Sequence, residues 1–210
     1  MEKLILASQS PRRRQLLEEA GFSLVVVPAD IDETRRPGES PVQLVERLAL
    51  GKAEATRRAL GGNAPASALV AADTIVWTDN GEVLGKPKDR QHAARMLQDL
   101  SGRTHHVSTG VCAMTLTPAA EINAKSSFVE TADVTFFELT QKEIETYVAS
   151  GEPMDKAGGY GIQGLGRLLV KSISGDWFTV VGLPVSRLIR ELGLLEGRPG
   201  MVADLLGRES

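Results

Sequence analysis

The chain has 210 residues, 42% of them hydrophobic, enough to bury a real core as one domain or as two intimate lobes. A net charge of −3 and a pI of about 5.7 exclude the global basic field of a nucleic-acid binder, so any phosphate-binding charge must be local. Aromatics at 4% argue against a base-stacking platform, and the single cysteine, Cys112, excludes an intramolecular disulfide framework and fits a reducing compartment.

The segment from Leu4 to Leu17 reads as a short apolar strand, a tight polar loop and a helix opened by Ser10 as N-cap and Pro11 at the first helical position. Arg12, Arg13 and Arg14 then oppose the positive end of the helix dipole. Either they form a solvated basic face, or they meet an anion, with phosphate suited to the guanidinium fork. Gly21 is a helix stop, and Phe22 to Val27 a β-branched second strand. A polar loop with Asp30, Asp32 and Glu33 leads to a helix opened by Ser40-Pro41, with Leu44, Leu48 and Ala55 on one side and Lys52 in its later turns.

Ala68 to Trp77 is almost wholly apolar, as expected of a strand buried on both faces. Asp73 and Thr74 interrupt it, and a carboxylate there is costly unless it is paired, metal-bound or catalytic. Asp79-Asn-Gly81 signals a hairpin into Glu82–Leu84, and Asp89 caps a helix through about Leu100. Arg103 to Leu116 and Lys125 to Glu138 read as a long antiparallel pair, and Thr140 with Glu143 forms a capping box for a helix to about Ser150. Between Asp155 and Gly166 stand five glycines, which imply close backbone approach to a neighbour or a flexible lid. Arg167 to Ser174 is a strand, and Val180 to Leu192 a short strand followed by a helix, read as core. Residues 1–193 are expected to form one domain and 194–210 a tail. The order predicts an α/β fold, a mixed sheet with helices on its faces. No stretch has the length of a signal-peptide core or a membrane span, so a cytoplasmic protein without a membrane partner is expected.

Three loops gather the reactive groups: residues 8–14, residues 30–36, and residues 73–74 with 85–88. They bring arginines, Lys52 and Lys86 together with Glu33 and Asp73, a set suited to metal-assisted phosphoryl chemistry. There is no Walker A motif and no Gly-x-Ser-x-Gly. His105 and His106 are adjacent on a strand and point to opposite faces, which disfavours joint chelation, and Cys112 reads as a buried, inert thiol.

The chain resembles the Maf family of nucleoside triphosphate pyrophosphatases from Leu4 to about Leu192. The motifs stand here as Ala7-Ser-Gln-Ser-Pro-Arg-Arg13, Asp32-Glu33, Lys52-Ala53, Ala72-Asp-Thr74, Gly85-Lys-Pro87, Asp155-Lys-Ala-Gly-Gly-Tyr-Gly-Ile-Gln-Gly164 and Val181-Gly-Leu-Pro184. The resemblance implies a long twisted mixed sheet in two lobes around a central cleft, similar to inosine triphosphate pyrophosphatases. It implies hydrolysis of a nucleoside triphosphate to monophosphate and pyrophosphate with a divalent cation, Mg²⁺ or Mn²⁺, and is compatible with a homodimer. Carried over by position, Asp73 would be the general base and Glu33 would assist metal or water, so that these two carboxylates are the expected metal ligands. Ser8, Ser10, Arg13, Lys52 and Lys86 would hold the phosphates. Arg12, Thr74 and Gln163 match the branch acting on dTTP and UTP, whereas a branch acting on 7-methyl-GTP has Trp, Gln and Glu there. The chemistry agrees: a cationic guanine suits an aromatic face and a carboxylate, while one amide matches the N3–H and carbonyl of uracil or thymine and could also serve cytosine. The family's link to septum formation supplies a rival expectation, a nucleotide-sensing regulator with little catalysis.

Overall fold

A computed structural model describes residues 2–207. In chain order the elements are β1 (Glu2–Leu6), α1 (Pro11–Glu19), β2 (Phe22–Val26), α2 (Pro41–Ala59), β3 (Ala68–Trp77), β4 (Val83–Leu84), α3 (Arg90–Leu100), β5 (Thr104–Leu116), β6 (Ile122–Phe136) and α4 (Gln141–Ala149). Three short 3-10 segments follow between Glu152 and Leu169, then β7 (Val170–Ser174), α5 (Trp177–Val181), α6 (Val185–Leu195) and α7 (Met201–Leu206). The fold is mixed α/β, as expected.

One sheet carries the molecule, in the order β2-β1-β3-β5-β6-β7, with β4 paired to β3. β1 runs parallel to β2 and β3; the remaining pairs are antiparallel. The caps read from sequence are made: Ser10 accepts from the Arg13 N–H, and Ser40 with Gln43 and Thr140 with Glu143 form capping boxes. Alternate β3 residues go to opposite faces. Leu69 and Ala71 pack with Ala49 and Ala53 of α2, and Ile75 with Val45 and Leu48. On the other face Val70 and Ala72 lie under Leu17, Leu188 and Met201, whereas Val76 lies under Leu97 of α3 and Val148 of α4. The helices on that face thus fall into two groups, with Thr74 at the gap between them.

Three expectations are corrected. Ala53 and Thr56, not Ala55, continue the buried stripe of α2. Val180 and Val181 end a short helix rather than form a strand, because the Asp176 carboxylate caps the Thr179 N–H and Gly182 stops the helix at φ 118°. The tail from Gly193 also folds back: α6 continues to Leu195, and Met201 of α7 is buried in the core beneath α1 and α6.

Candidate active site

The site forms where β3 lacks a neighbour. β1 pairs with β3 only as far as Leu6 opposite Val70, and β4 joins only at Val76. From Ala71 to Ile75, β3 is paired on one side alone, through β5. The loops after β1 and β2 converge on this open edge, where one leads to α1 on one face of the sheet and the other to α2 on the opposite face, the usual place for a ligand in such topologies. The resulting cleft has a volume of about 1250 Å³, above the range of about 300–1,000 Å³ usual for small-molecule sites. Its walls include Ser8, Ser10, Arg12, Arg13, Glu33, Lys52, Asp73, Thr74, Lys86 and Gln163, so every candidate residue reaches one space.

On the α2 side, Lys52 Nζ donates to Asp73 Oδ1 at 2.6 Å and lies 2.6 Å from Glu33 Oε1. Two carboxylates thus converge on one ammonium. Lys52 follows Val45, Leu48 and Ala49 at helical spacing, so it sits on the buried stripe of α2, directly over the strand. Gly110, opposite Asp73 on β5, permits that approach: a Cβ there would lie 2.5 Å from the Val45 carbonyl oxygen. Asp73 is 8% exposed, and its Oδ2 makes no hydrogen bond to the described protein. Oδ2 is therefore able to accept a proton from the cleft.

On the opposite face, Arg13 is fully oriented. Its Nε donates to the Gly182 carbonyl at 2.8 Å, Nη1 to Ser8 Oγ at 3.1 Å and Nη2 to Thr74 Oγ1 at 2.9 Å. Thr109 Oγ1 donates onward to the Thr179 carbonyl, so the chain of donors runs from Arg13 through Thr74 and Thr109 into α5. Three of the five guanidinium N–H groups are used, leaving two for an anion. Burial pulls the Arg13 pKa below its ordinary value, opposed by the Asp73 charge and reinforced by Arg12. Ser8 Oγ accepts from the Ser10 N–H as well as from Arg13, and Ser10 Oγ accepts from the Arg13 N–H. Neither hydroxyl donates to a described residue, so both can donate to a phosphate oxygen. Lys86, exposed on the loop after β4, and Arg12, in the first turn of α1, add positive charge to the rim.

Thr74 thus has a structural duty as well as a place in the wall, for it props Arg13. The Gly182 carbonyl and the α5 terminus, in a segment expected to be core, and Thr109, expected only as part of a long strand, are the far anchor of that arginine. The Val181-Gly-Leu-Pro184 motif is the sign of the first of these in the sequence. His105, by contrast, is buried with Nε2 2.9 Å from the Tyr160 hydroxyl, and His106 lies between Asp79 and Asp133. Cys112 is buried, and desolvation pushes its thiol up to about 12. None of the three faces the cleft.

The sequence profile of the Maf-like protein family matches residues 3–195. The chain belongs to the Maf family. Relatives of this Maf protein include a dTTP/UTP pyrophosphatase of Geobacillus sp. (strain WCH70), 50% identical over 91% of this chain and 97% of that one. Another, from Bacillus pumilus (strain SAFR-032) and also named dTTP/UTP pyrophosphatase, is 50% identical over 91% of this chain and 96% of its own length. Among solved structures, the Staphylococcus aureus Ham1 protein overlaps 64% of this chain and 72% of that one, with a TM-score of 0.44 at 14% identity.

Proposed function

We propose that this Maf protein hydrolyses dTTP and UTP to the monophosphate and pyrophosphate. The observation that carries the reading is the division of the cleft around β3. An acid with a free oxygen, Asp73, lies on one face, and an anion cradle of Ser8, Ser10 and Arg13 on the other, so water and triphosphate meet at one strand edge. The relatives named dTTP/UTP pyrophosphatase support the substrate class.

In this reading the cradle and the rim cations Arg12 and Lys86 bind the triphosphate and fix its α-phosphorus beside Asp73. Asp73 Oδ2 accepts the proton of the attacking water, while Lys52 holds Oδ1 and so sets the carboxylate's orientation. Arg13 stabilises the charge that gathers on the departing pyrophosphate. Gln163, exposed on the cleft wall, pairs its amide with the N3–H and carbonyl of the base.

The donor set fits a divalent cation. Asp73 and Glu33 are brought side by side by their shared partner Lys52, and a cation would use the oxygens that Lys52 leaves free; Mg²⁺ is usually bound by one or two carboxylates together with substrate phosphates. Asp73 and Glu33 would hold Mg²⁺ or Mn²⁺, which supplies charge neutralisation on the phosphates. A cytoplasmic location goes with this reading because its substrates are nucleoside triphosphates; no described helix is long and apolar enough to cross a membrane.

The test is a panel of nucleoside triphosphates assayed for pyrophosphate release with Mg²⁺ or Mn²⁺. Release from dTTP and UTP ahead of GTP and ATP is expected. Tight nucleotide binding without release would instead mark a nucleotide sensor.

A further inference from the structure

Gln163 has no support of its own: it is exposed and makes no hydrogen bond to the described protein. Its position depends on the backbone from Gly161 to Gly166, a turn closed by the Gly164 N–H on the Gly161 carbonyl. That turn is gripped from behind. The Glu152 Oε2 accepts from the Leu165 N–H at 2.7 Å, and Oε1 from the Gly166 N–H at 3.0 Å. The Tyr147 hydroxyl donates to the same Oε1 at 2.9 Å and accepts from the Gly161 N–H at 3.1 Å. One carboxylate and one phenol therefore hold both ends of the segment that presents Gln163.

The glycines follow from this grip. A methyl at Gly164 would overlap the Glu152 carboxylate, and one at Gly166 would lie 2.7 Å from the Tyr147 hydroxyl. Glycine is needed so that backbone N–H groups can reach the carboxylate, which argues against a free lid. Glu152 itself is tied at its base, since Ser150 Oγ accepts from its N–H and Lys156 Nζ donates to its carbonyl. Partial burial opposes its ionisation, but the backbone N–H groups and the Tyr147 hydroxyl outweigh that and hold its carboxyl below the usual range.

We propose that Glu152, braced by Tyr147, is a positioning residue for base selectivity, acting on the nucleotide through the turn that carries Gln163. The proposal rests on Gln163 reading the base. Neither group touches the Ser8–Arg13 cradle or Asp73, so loosening the brace weakens recognition of the base and leaves the phosphoryl chemistry in place.

The experiment measures kcat and KM for UTP and GTP in the full-length chain, wild type against Glu152→Gln and Tyr147→Phe. Glu152→Gln replaces one acceptor by an amide donor that faces an N–H; Tyr147→Phe keeps the buried ring and removes only the hydroxyl. In both, the UTP-to-GTP ratio of kcat/KM is expected to fall about tenfold or more, through a higher KM for UTP with kcat held within about twofold. The double variant should lose little beyond either single one, because the two act as a unit. Thermal unfolding of each variant separates loosening of the turn from loss of fold. Wild type that releases no pyrophosphate from UTP overturns the activity and this proposal together. Wild type that prefers UTP, with both variants keeping that preference within about twofold or losing kcat at unchanged KM, overturns the proposal alone.

Discussion

At the scale of single residues, the balance of charge around Asp73 decides what the cleft can do. Replacing Asp73 by Asn keeps shape and size but removes the group that takes the water's proton, and general-base losses run at about 10²–10⁴-fold in kcat. Turnover should fall by that much in a continuous pyrophosphate assay while the unfolding transition persists. The two histidines make a separate residue-scale prediction. Burial, reinforced by the neighbouring His106 charge, lowers His105 to about 4, so folding excludes its proton. Its stabilisation is complete above the ordinary value near 6.5 and is lost as pH falls from there toward 4, by about 3 kcal/mol in all. His106 runs the other way: burial opposes its charge, but Asp133 and Asp79 outweigh burial and raise its pKa. Its contribution is complete below the ordinary pKa and fades as pH climbs through the raised value. Urea unfolding from pH 5 to 6.5 should show stability rising with pH in wild type and a flatter profile in His105→Gln; an unchanged slope would remove His105 as the cause.

At the scale of elements, α2 shows how packing builds chemistry. Its capping box starts the helix, its apolar stripe seats it on the sheet, and Gly110 lets it come close enough for Lys52 to reach Asp73. Ser40→Ala should cost about 1 kcal/mol by chemical denaturation and leave kcat/KM unchanged, because Ser40 lies far from Lys52 along the helix. Gly110→Ala should cost about 1–3 kcal/mol and also lower kcat, since the added methyl pushes α2 away from β3. Much of this was legible beforehand. Ser10, Ser40 and Thr140 announced helix starts through local chemistry, and the strand at Ala68–Trp77 stood out with a carboxylate that needed a reason. Short α5 was misread because five residues hold too little periodicity, and its β-branched Val180 and Val181 imitate a strand. The far anchor of Arg13 was hidden for another reason. Thr109 and the Gly182 carbonyl join it only through pairings 35 to 169 residues apart along the chain, and a backbone carbonyl leaves no mark in a side-chain pattern. The brace of Glu152 and Tyr147 was likewise invisible, although its consequence, the glycine density, was plain.

At the scale of the whole molecule, one sheet serves as both scaffold and site. Its strands are continuous through β5 and β6, so the open stretch of β3 weakens neither end of the core. The tail takes part in that stability without taking part in the cleft. Met201 is 1% exposed beneath α1 and α6, and Arg198 pairs with Glu2 and Asp204 to fasten α7 near the start of β1. Met201→Ala should therefore lower stability by about 2–4 kcal/mol in chemical denaturation while kcat/KM for UTP at 25 °C stays within about twofold. A loss of activity without loss of stability would mean that the tail reaches the site. The central claim is that the Ser8–Arg13 cradle and Asp73 together direct water to the α-phosphorus. Phosphorus NMR of UTP incubated with the protein and Mg²⁺ tests it most directly. Equimolar UMP and pyrophosphate from wild type, formed at least about a hundredfold more slowly by Asp73→Asn, is the expected result; UDP with orthophosphate, or an unimpaired Asp73→Asn, would contradict it.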